Sequence, residues 1–131
     1  MKLLLDTHIA IWTVLDESLL RPGEREQIEA ADAELALSVV SLWELRLKWN
    51  SFHPSGERKG PVDPERMRRF AEAFGWSLLP LSPLDTGAVL DTPMNHQDPF
   101  DEMLLIQAQR HGMRLLTRDA ALAAHPLAIT G

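Results

Sequence analysis

Four carboxylates stand where parallel α/β proteins do chemistry. Asp6 directly follows the apolar run Lys2-Leu-Leu-Leu5, and Asp119 follows Leu115-Leu-Thr117. Glu44 lies near the start of the helix predicted after the second strand. Asp101 lies in the first turn of the helix that begins at Pro99. Ligands of parallel sheets gather at the carboxyl ends of the strands, so all four can meet on one edge. Asp6 ends a strand of leucines, where a charge near the core is costly without a partner. Asp101 heads a helical stripe of Leu104, Leu105 and Ala108, which turns it toward the core. Several inward carboxylates cannot all stay ionised unless a cation neutralises them. With no cysteine in the chain, oxygen donors point to Mg²⁺ or Mn²⁺. The chemistry best served is in-line hydrolysis of a phosphodiester, where metal lowers the pKa of water and offsets charge growing on phosphate.

Each acid also has a purely local reading. Ser41-Leu-Trp-Glu44 fits a capping box, with Glu44 reaching back to the Ser41 backbone. Glu44 precedes Lys48 by four, the favourable order for a surface ion pair. Asp98 before Pro99 fits a helix N-cap, and Asp101 is then an acid favoured by the helix dipole. Asp119 can cap the helical turn that follows it.

The elements that must position these groups are short. Lys2–Leu5 reads as a buried strand, and Ile9, Trp12 and Leu15 follow at helical spacing. Pro22-Gly23 punctuates, and Glu24 to Ala31 reads as a second helix. Leu35 to Val39 is the next strand, with a helix from about Leu42 to Asn50. Ser51 to Pro61 is a Pro/Gly-rich loop. Asp63-Pro64 opens a helix that ends before Gly75. Ser77 to Leu81 is a third strand, whose proline suits a sheet edge or end. Pro83 to Leu90 reads as a short helix. Asp98-Pro99 opens a helix to His111, stopped by Gly112. Arg114 to Thr117 is a strand, Ala120 to Ala124 a helical turn, and Leu127 to Ile129 a last strand. Short apolar strands alternating with helices predict an α/β class with a mostly parallel sheet flanked by helices, in one domain over 1–131.

Composition narrows the options. The 131 residues are 45% hydrophobic and 24% charged, ordinary for a chain that buries a core. Without cysteine there is no disulfide framework, thiol nucleophile or cysteine-ligated zinc. The five histidines are scattered, with no His-x-x-x-His pair. The first apolar run is too short for a signal peptide, and no window reaches the length of a membrane span, so a cytoplasmic, membrane-free protein is expected. Net charge is −6, which opposes non-specific attraction to nucleic acid. The segment Arg46 to Arg69 nonetheless nets +4, from seven basic and three acidic residues. It is either a solvated face or a surface that touches an anion. There is no phosphate-cradling Gly-x-x-x-x-Gly-Lys, no Gly-x-Gly-x-x-Gly and no Gly-x-Ser-x-Gly.

The sequence resembles PIN-domain ribonucleases of the VapC toxin type over nearly its whole length. The resemblance rests on four fragments in order. They are Leu3-Leu-Leu-Asp-Thr-His-Ile9 with Trp12, and Ser38-Val-Val-Ser-Leu-Trp-Glu-Leu45 with Lys48. They continue with His96-Gln-Asp-Pro-Phe-Asp101 before Leu104 to Ala108, and Leu115-Leu-Thr-Arg-Asp119. It implies a three-layer PIN-like fold and an acidic metal site of Asp6, Glu44, Asp101 and Asp119, with Glu44 acting directly or through water. Thr7, Asp98 and Thr117 would stand behind these ligands, Asp98 as ligand, support or N-cap. His8 and His96 occupy family-like positions, read as hydrogen-bonding neighbours. Trp12, Trp43, Trp49 and Trp76 are read as core or interface. Arg46, Lys48 and Arg118 are candidate RNA contacts.

The resemblance further implies a metal-dependent endoribonuclease, a homodimer, and a cognate antitoxin of a VapBC-type pair whose C-terminal segment covers the acidic groove. One departure stands out. His96-Gln-Asp-Pro-Phe-Asp101 resembles the pattern of one PIN subgroup, which usually has arginine next; Glu102 stands here instead and adds negative charge beside the site. It favours an alternative reading as a non-catalytic PIN-like binding module. A receiver-type phosphoacceptor is a further alternative, although adjacent acids after the first strand are missing.

Overall fold

The computed structural model describes residues 1–131. Five strands form one sheet: β1 (Lys2–Leu5), β2 (Glu34–Ser38), β3 (Ser77–Leu79), β4 (Arg114–Leu116) and β5 (Ala128–Ile129). Their order across the sheet is β3-β2-β1-β4-β5, and every neighbouring pair is parallel. Six α-helices flank it: α1 (Thr7–Leu15), α2 (Pro22–Glu29), α3 (Val39–Trp49), α4 (Pro64–Ala73), α5 (Pro83–Thr86) and α6 (Pro99–His111).

The two faces of the sheet explain the unbroken apolar strands. Successive side chains alternate sides. Leu5, Leu37 and Leu116 join Ile9, Met67 and Trp76 in one core. Leu4, Ala36 and Leu115 join Leu104, Leu105 and Ala108 in a second core under α6. A sheet covered on both faces needs apolar residues at every position, so the run Leu3-Leu4-Leu5 is wholly buried. Each fully buried leucine contributes about 1.5–3 kcal/mol relative to exposure.

Most predicted elements fall where the caps place them. Asp63 caps α4 by accepting from Glu65 N at 2.9 Å, with Pro64 at the first helical position. Gly112 ends α6 in the left-handed region at φ 65°, which glycine adopts without strain. Short β3 lies at the sheet edge, as Pro80 requires.

Strand ends shift by one or two residues, with β3 ending at Leu79 and β5 starting at Ala128, and three helices differ. Helix α2 begins at Pro22 rather than after it, because proline suits the first turn where no N–H partner exists. Helix α3 begins at Val39, with Ser38 accepting from Val40 N at 3.0 Å. The Ser41–Glu44 pair therefore lies inside the helix, and the capping box does not form. Helix α5 stops at Thr86, with Gly87 outside the helical region at φ −107°, while the buried Asp85 accepts from Ser82 N at 2.8 Å and pairs with Arg110.

Candidate active site

Parallel pairing of β1 with β4 and β2 puts three strand ends side by side. Asp6 leaves the end of β1 and caps α1, its Oδ1 accepting from Thr7 N at 2.8 Å. Its Oδ2 accepts from Thr117 Oγ1 at 2.7 Å. Asp6 is only 8% exposed. The charge at the end of the leucine strand thus has two donors, one from its own helix and one from Thr117 just past β4.

Thr7 reaches the other way. Its hydroxyl hydrogen-bonds Glu44 Oε1 and Ser41 Oγ, each at 2.9 Å. Glu44 Oε2 lies 3.4 Å from Lys48 Nζ, so the expected i,i+4 pair forms. Asp98 caps α6, its Oδ1 accepting from Phe100 N at 2.8 Å and Asp101 N at 3.2 Å. The His96 Nε2 lies 2.9 Å from Asp101 Oδ2 and donates to it, while His96 Nδ1 is buried without a partner. Asp119 Oδ1 accepts from Ala121 N at 2.9 Å, and Asp119 N donates to Thr117 Oγ1 at 3.0 Å.

The electrostatics tie these acids together. Burial pushes the Asp6 carboxyl above the usual range, against the opposing pull of Thr117 and Thr7, and Glu44 adds to the rise. Burial also raises Asp101, His96 opposes it, and the negative charges of Asp98, Asp6 and Asp119 raise it further. Thr7 links Asp6 to Glu44, Thr117 links Asp6 to Asp119, and Asp101 lies within the field of Asp6 and Asp119.

All of the donors are oxygens, which suits a hard divalent cation. As the side chains stand, no three His, Asp or Glu residues are drawn tightly enough to hold an ion. Each acid is instead occupied by a local donor: Thr117 and Thr7 on Asp6, Lys48 and Thr7 on Glu44, His96 on Asp101, Ala121 N on Asp119. Asp6, Glu44, Asp101 and Asp119 supply carboxylate oxygens of the kind such an ion takes.

The remaining candidates are placed differently. Arg118 is committed to Glu24, with Nε 2.8 Å from Oε2 and Nη2 on Oε1, and Nη2 also donates to Leu19 O at 2.7 Å. The Glu24 side chain is 1% exposed. Nothing in the local pattern around Glu24 separates it from an ordinary first-turn acid, so this buried pair escaped the sequence reading. Arg46 is exposed. Much of the basic segment serves its own surroundings: Arg58 stacks over Trp49 and Phe52, and Arg68 pairs with Glu65 and Glu72.

Trp76 is core, as expected, but Trp43 is exposed. Trp12 packs partly against the core and lines a cavity beside Asp6. Glu102 lines a different cavity with Val89, Met94 and Ile106. A second network was also missed. Gln107, in the apolar stretch of α6, bonds Ser38 and Asp85, and Asp85 pairs with Arg110. The polar residue inside an apolar stripe was the available signal.

A five-stranded parallel sheet between helices, with buried acids at its carboxyl edge, defines a three-layer α/β domain of the PIN type. The chain belongs to the PIN domain family, whose model matches residues 3–126. It is 29% identical over 123 residues to Ribonuclease VapC22 of Mycobacterium tuberculosis (strain ATCC 25618 / H37Rv), covering 93% of this chain and 90% of that protein. Two solved structures share the fold. VapBC2 from Rickettsia felis bound to a DNA fragment from their promoter matches with TM-score 0.60 and 15% identity, over 100% of this chain and 98% of that one. A toxin-antitoxin complex from Klebsiella pneumoniae matches with TM-score 0.61 and 19% identity, over 97% and 95%. No helix is long and apolar enough to cross a membrane.

Proposed function

We propose that this protein is a metal-dependent endoribonuclease, the toxin of a VapBC-type pair, formed as one domain over residues 1–131. The observation that carries the reading is the gathering of buried Asp6 and partly buried Asp101 with Glu44 and Asp119 at one sheet edge, where Glu44 raises the proton affinity of Asp6, and Asp6 and Asp119 raise that of Asp101. The likeness to Ribonuclease VapC22 supports RNA as the substrate.

Asp6, Asp101 and Asp119, with Glu44 directly or through water, are assigned to hold Mg²⁺ or Mn²⁺. The bound cation would supply an acidified water and neutralise charge on the phosphate. Thr7 and Thr117 keep Glu44 and Asp6 aimed at the same edge through their hydroxyls. Asp98 fixes the first turn of α6 and with it the Cα of Asp101. Arg46 and Lys48, on the helix that carries Glu44, are assigned to RNA phosphates. Arg118 has its charge offset by Glu24 and is withdrawn from that role.

An antitoxin protein is the proposed partner, supported by structural neighbours that are toxin–antitoxin complexes. A homodimer is also proposed. It is supported by the apolar hollow of Val39, Trp43, Leu81, Phe100 and Met103, with Trp43 and Leu81 exposed. Sedimentation showing a monomer at micromolar concentration rejects the dimer.

The deciding experiment is cleavage of pooled cellular RNA by partner-free protein in Mn²⁺, Mg²⁺ or EDTA, beside Asp101→Asn. Cuts that need metal and vanish in the variant support the enzyme. A folded wild-type protein that cuts nothing rejects it in favour of a binding module.

A further inference from the structure

We propose that the cavity beside Asp6 and Asp119 is a subsite for an unpaired nucleobase, seating the nucleotide next to the phosphate that is cut. The inference rests on the ribonuclease reading above. The cavity measures about 230 Å³ and is lined by Asp6, His8, Ile9, Trp12, Arg118 and Asp119. Two of these residues belong to the acidic edge, so an occupant touches the reacting region.

The other walls are flat. His8 and Trp12, one helical turn apart, stack with ring centroids 5.8 Å apart and planes inclined by 29°. The Arg118 guanidinium carbon lies 4.1 Å from the Trp12 ring centroid. Planar aromatic and guanidinium faces are what proteins use to hold the bases of single-stranded RNA.

Charge decides between base and phosphate. Glu24 neutralises Arg118 through two oxygens, and Asp6 and Asp119 add negative charge. Without a bound cation, a phosphate would meet net repulsion there. A neutral heterocycle would not. The Glu24 and Leu19 contacts occupy Nε and Nη2 of Arg118 and leave Nη1 without a partner in the chain. Its N–H groups are available to a base carbonyl or ring nitrogen. Buried Glu24 also holds the guanidinium in place over the indole, so the subsite exists before RNA arrives.

The test follows the four tryptophan indole N–H resonances by NMR in EDTA, with Trp12 assigned by its loss in Trp12→Phe. Adenosine, guanosine, cytidine and uridine are titrated in turn. At least one is expected to shift the Trp12 signal saturably while Trp43, Trp49 and Trp76 stay in place. No saturable shift with any nucleoside overturns the proposal. A shift with N-acetylarginine amide and with none of the nucleosides also overturns it, and gives the cavity to a cationic side chain of a protein partner. On pooled RNA with Mn²⁺, Trp12→Leu is expected to lose base preference beside the cut and raise KM about tenfold more than kcat falls, and Trp12→Phe, which keeps an aromatic face, to lose less of the preference. An unchanged cut-site profile in Trp12→Leu overturns the proposal. If the wild type cuts no RNA, the ribonuclease reading fails, and the nucleoside titration still decides the cavity.

Discussion

Thr117 Oγ1 donates to Asp6 Oδ2 at 2.7 Å across 111 residues of chain, and the same oxygen accepts from Asp119 N at 3.0 Å. One hydroxyl at the end of β4 therefore joins the two acids that leave β1 and β4. Thr117 is fully buried, so no water can replace it cheaply. Thr117→Val keeps the shape and removes the hydroxyl. It is expected to cost about 1–3 kcal/mol in urea denaturation and to weaken Mn²⁺ binding by calorimetry. Thr117→Ser should recover both.

Asp101 sets a distinctive pH dependence. Its folded pKa is raised, by burial first and then by neighbouring acids. Between the ordinary carboxyl pKa and that raised value the folded state holds more protons than the unfolded chain. Stability from this group therefore falls as pH rises through the window. Asp101→Asn is expected to raise the Tm of metal-free protein at pH 7, with the advantage fading toward pH 4. The same variant should lose the stabilisation that millimolar Mn²⁺ gives the wild type. Thermal melts across pH, with EDTA and with Mn²⁺, check both.

Asp85 runs the opposite way. Burial works against its charge, but Ser82 N, Arg110 and Gln107 outweigh it and hold its carboxyl below the usual range. Its contribution is present above the ordinary carboxyl pKa and is lost as pH falls through the folded value. Arg110→Ala leaves a fully buried carboxylate without its cation. The expected loss is about 3 kcal/mol at pH 7, shrinking in acid, with Mn²⁺ affinity of the folded fraction unchanged.

Glu102→Arg tests whether this position bears on the metal site. Glu102 lines a cavity with Val89, Met94 and Ile106, separate from the one beside Asp6 and Asp119. Mn²⁺ affinity is expected to stay within about twofold of wild type, as for an exposed, screened charge. A larger gain by calorimetry would place this residue in the site's field after all.

The elements themselves were legible in the residues. Unbroken leucine strands, Asp-Pro helix starts at Asp63 and Asp98, and the Gly112 stop are local signals, and each acts within a few residues of itself. Asp6 and Asp101 also stood out, because a carboxylate leading an apolar strand or stripe is anomalous by itself. Where local signals competed, reading the sequence misplaced the boundary: Ser38 and Ser41 both suit a cap, and packing of Val40 into the core under α6 settled it.

Sequence alone determined the class of fold, the positions of its helices and strands, and the acids exposed to question. The tertiary structure decided which residues face one another. Strand order β3-β2-β1-β4-β5 comes from packing of both sheet faces, and no periodicity records it. That order sets Thr117 against Asp6, binds Arg118 to Glu24 across 94 residues, and lays the guanidinium over Trp12. Contacts between residues so far apart leave no local trace, because the free energy that selects them belongs to the assembled core rather than to any one segment.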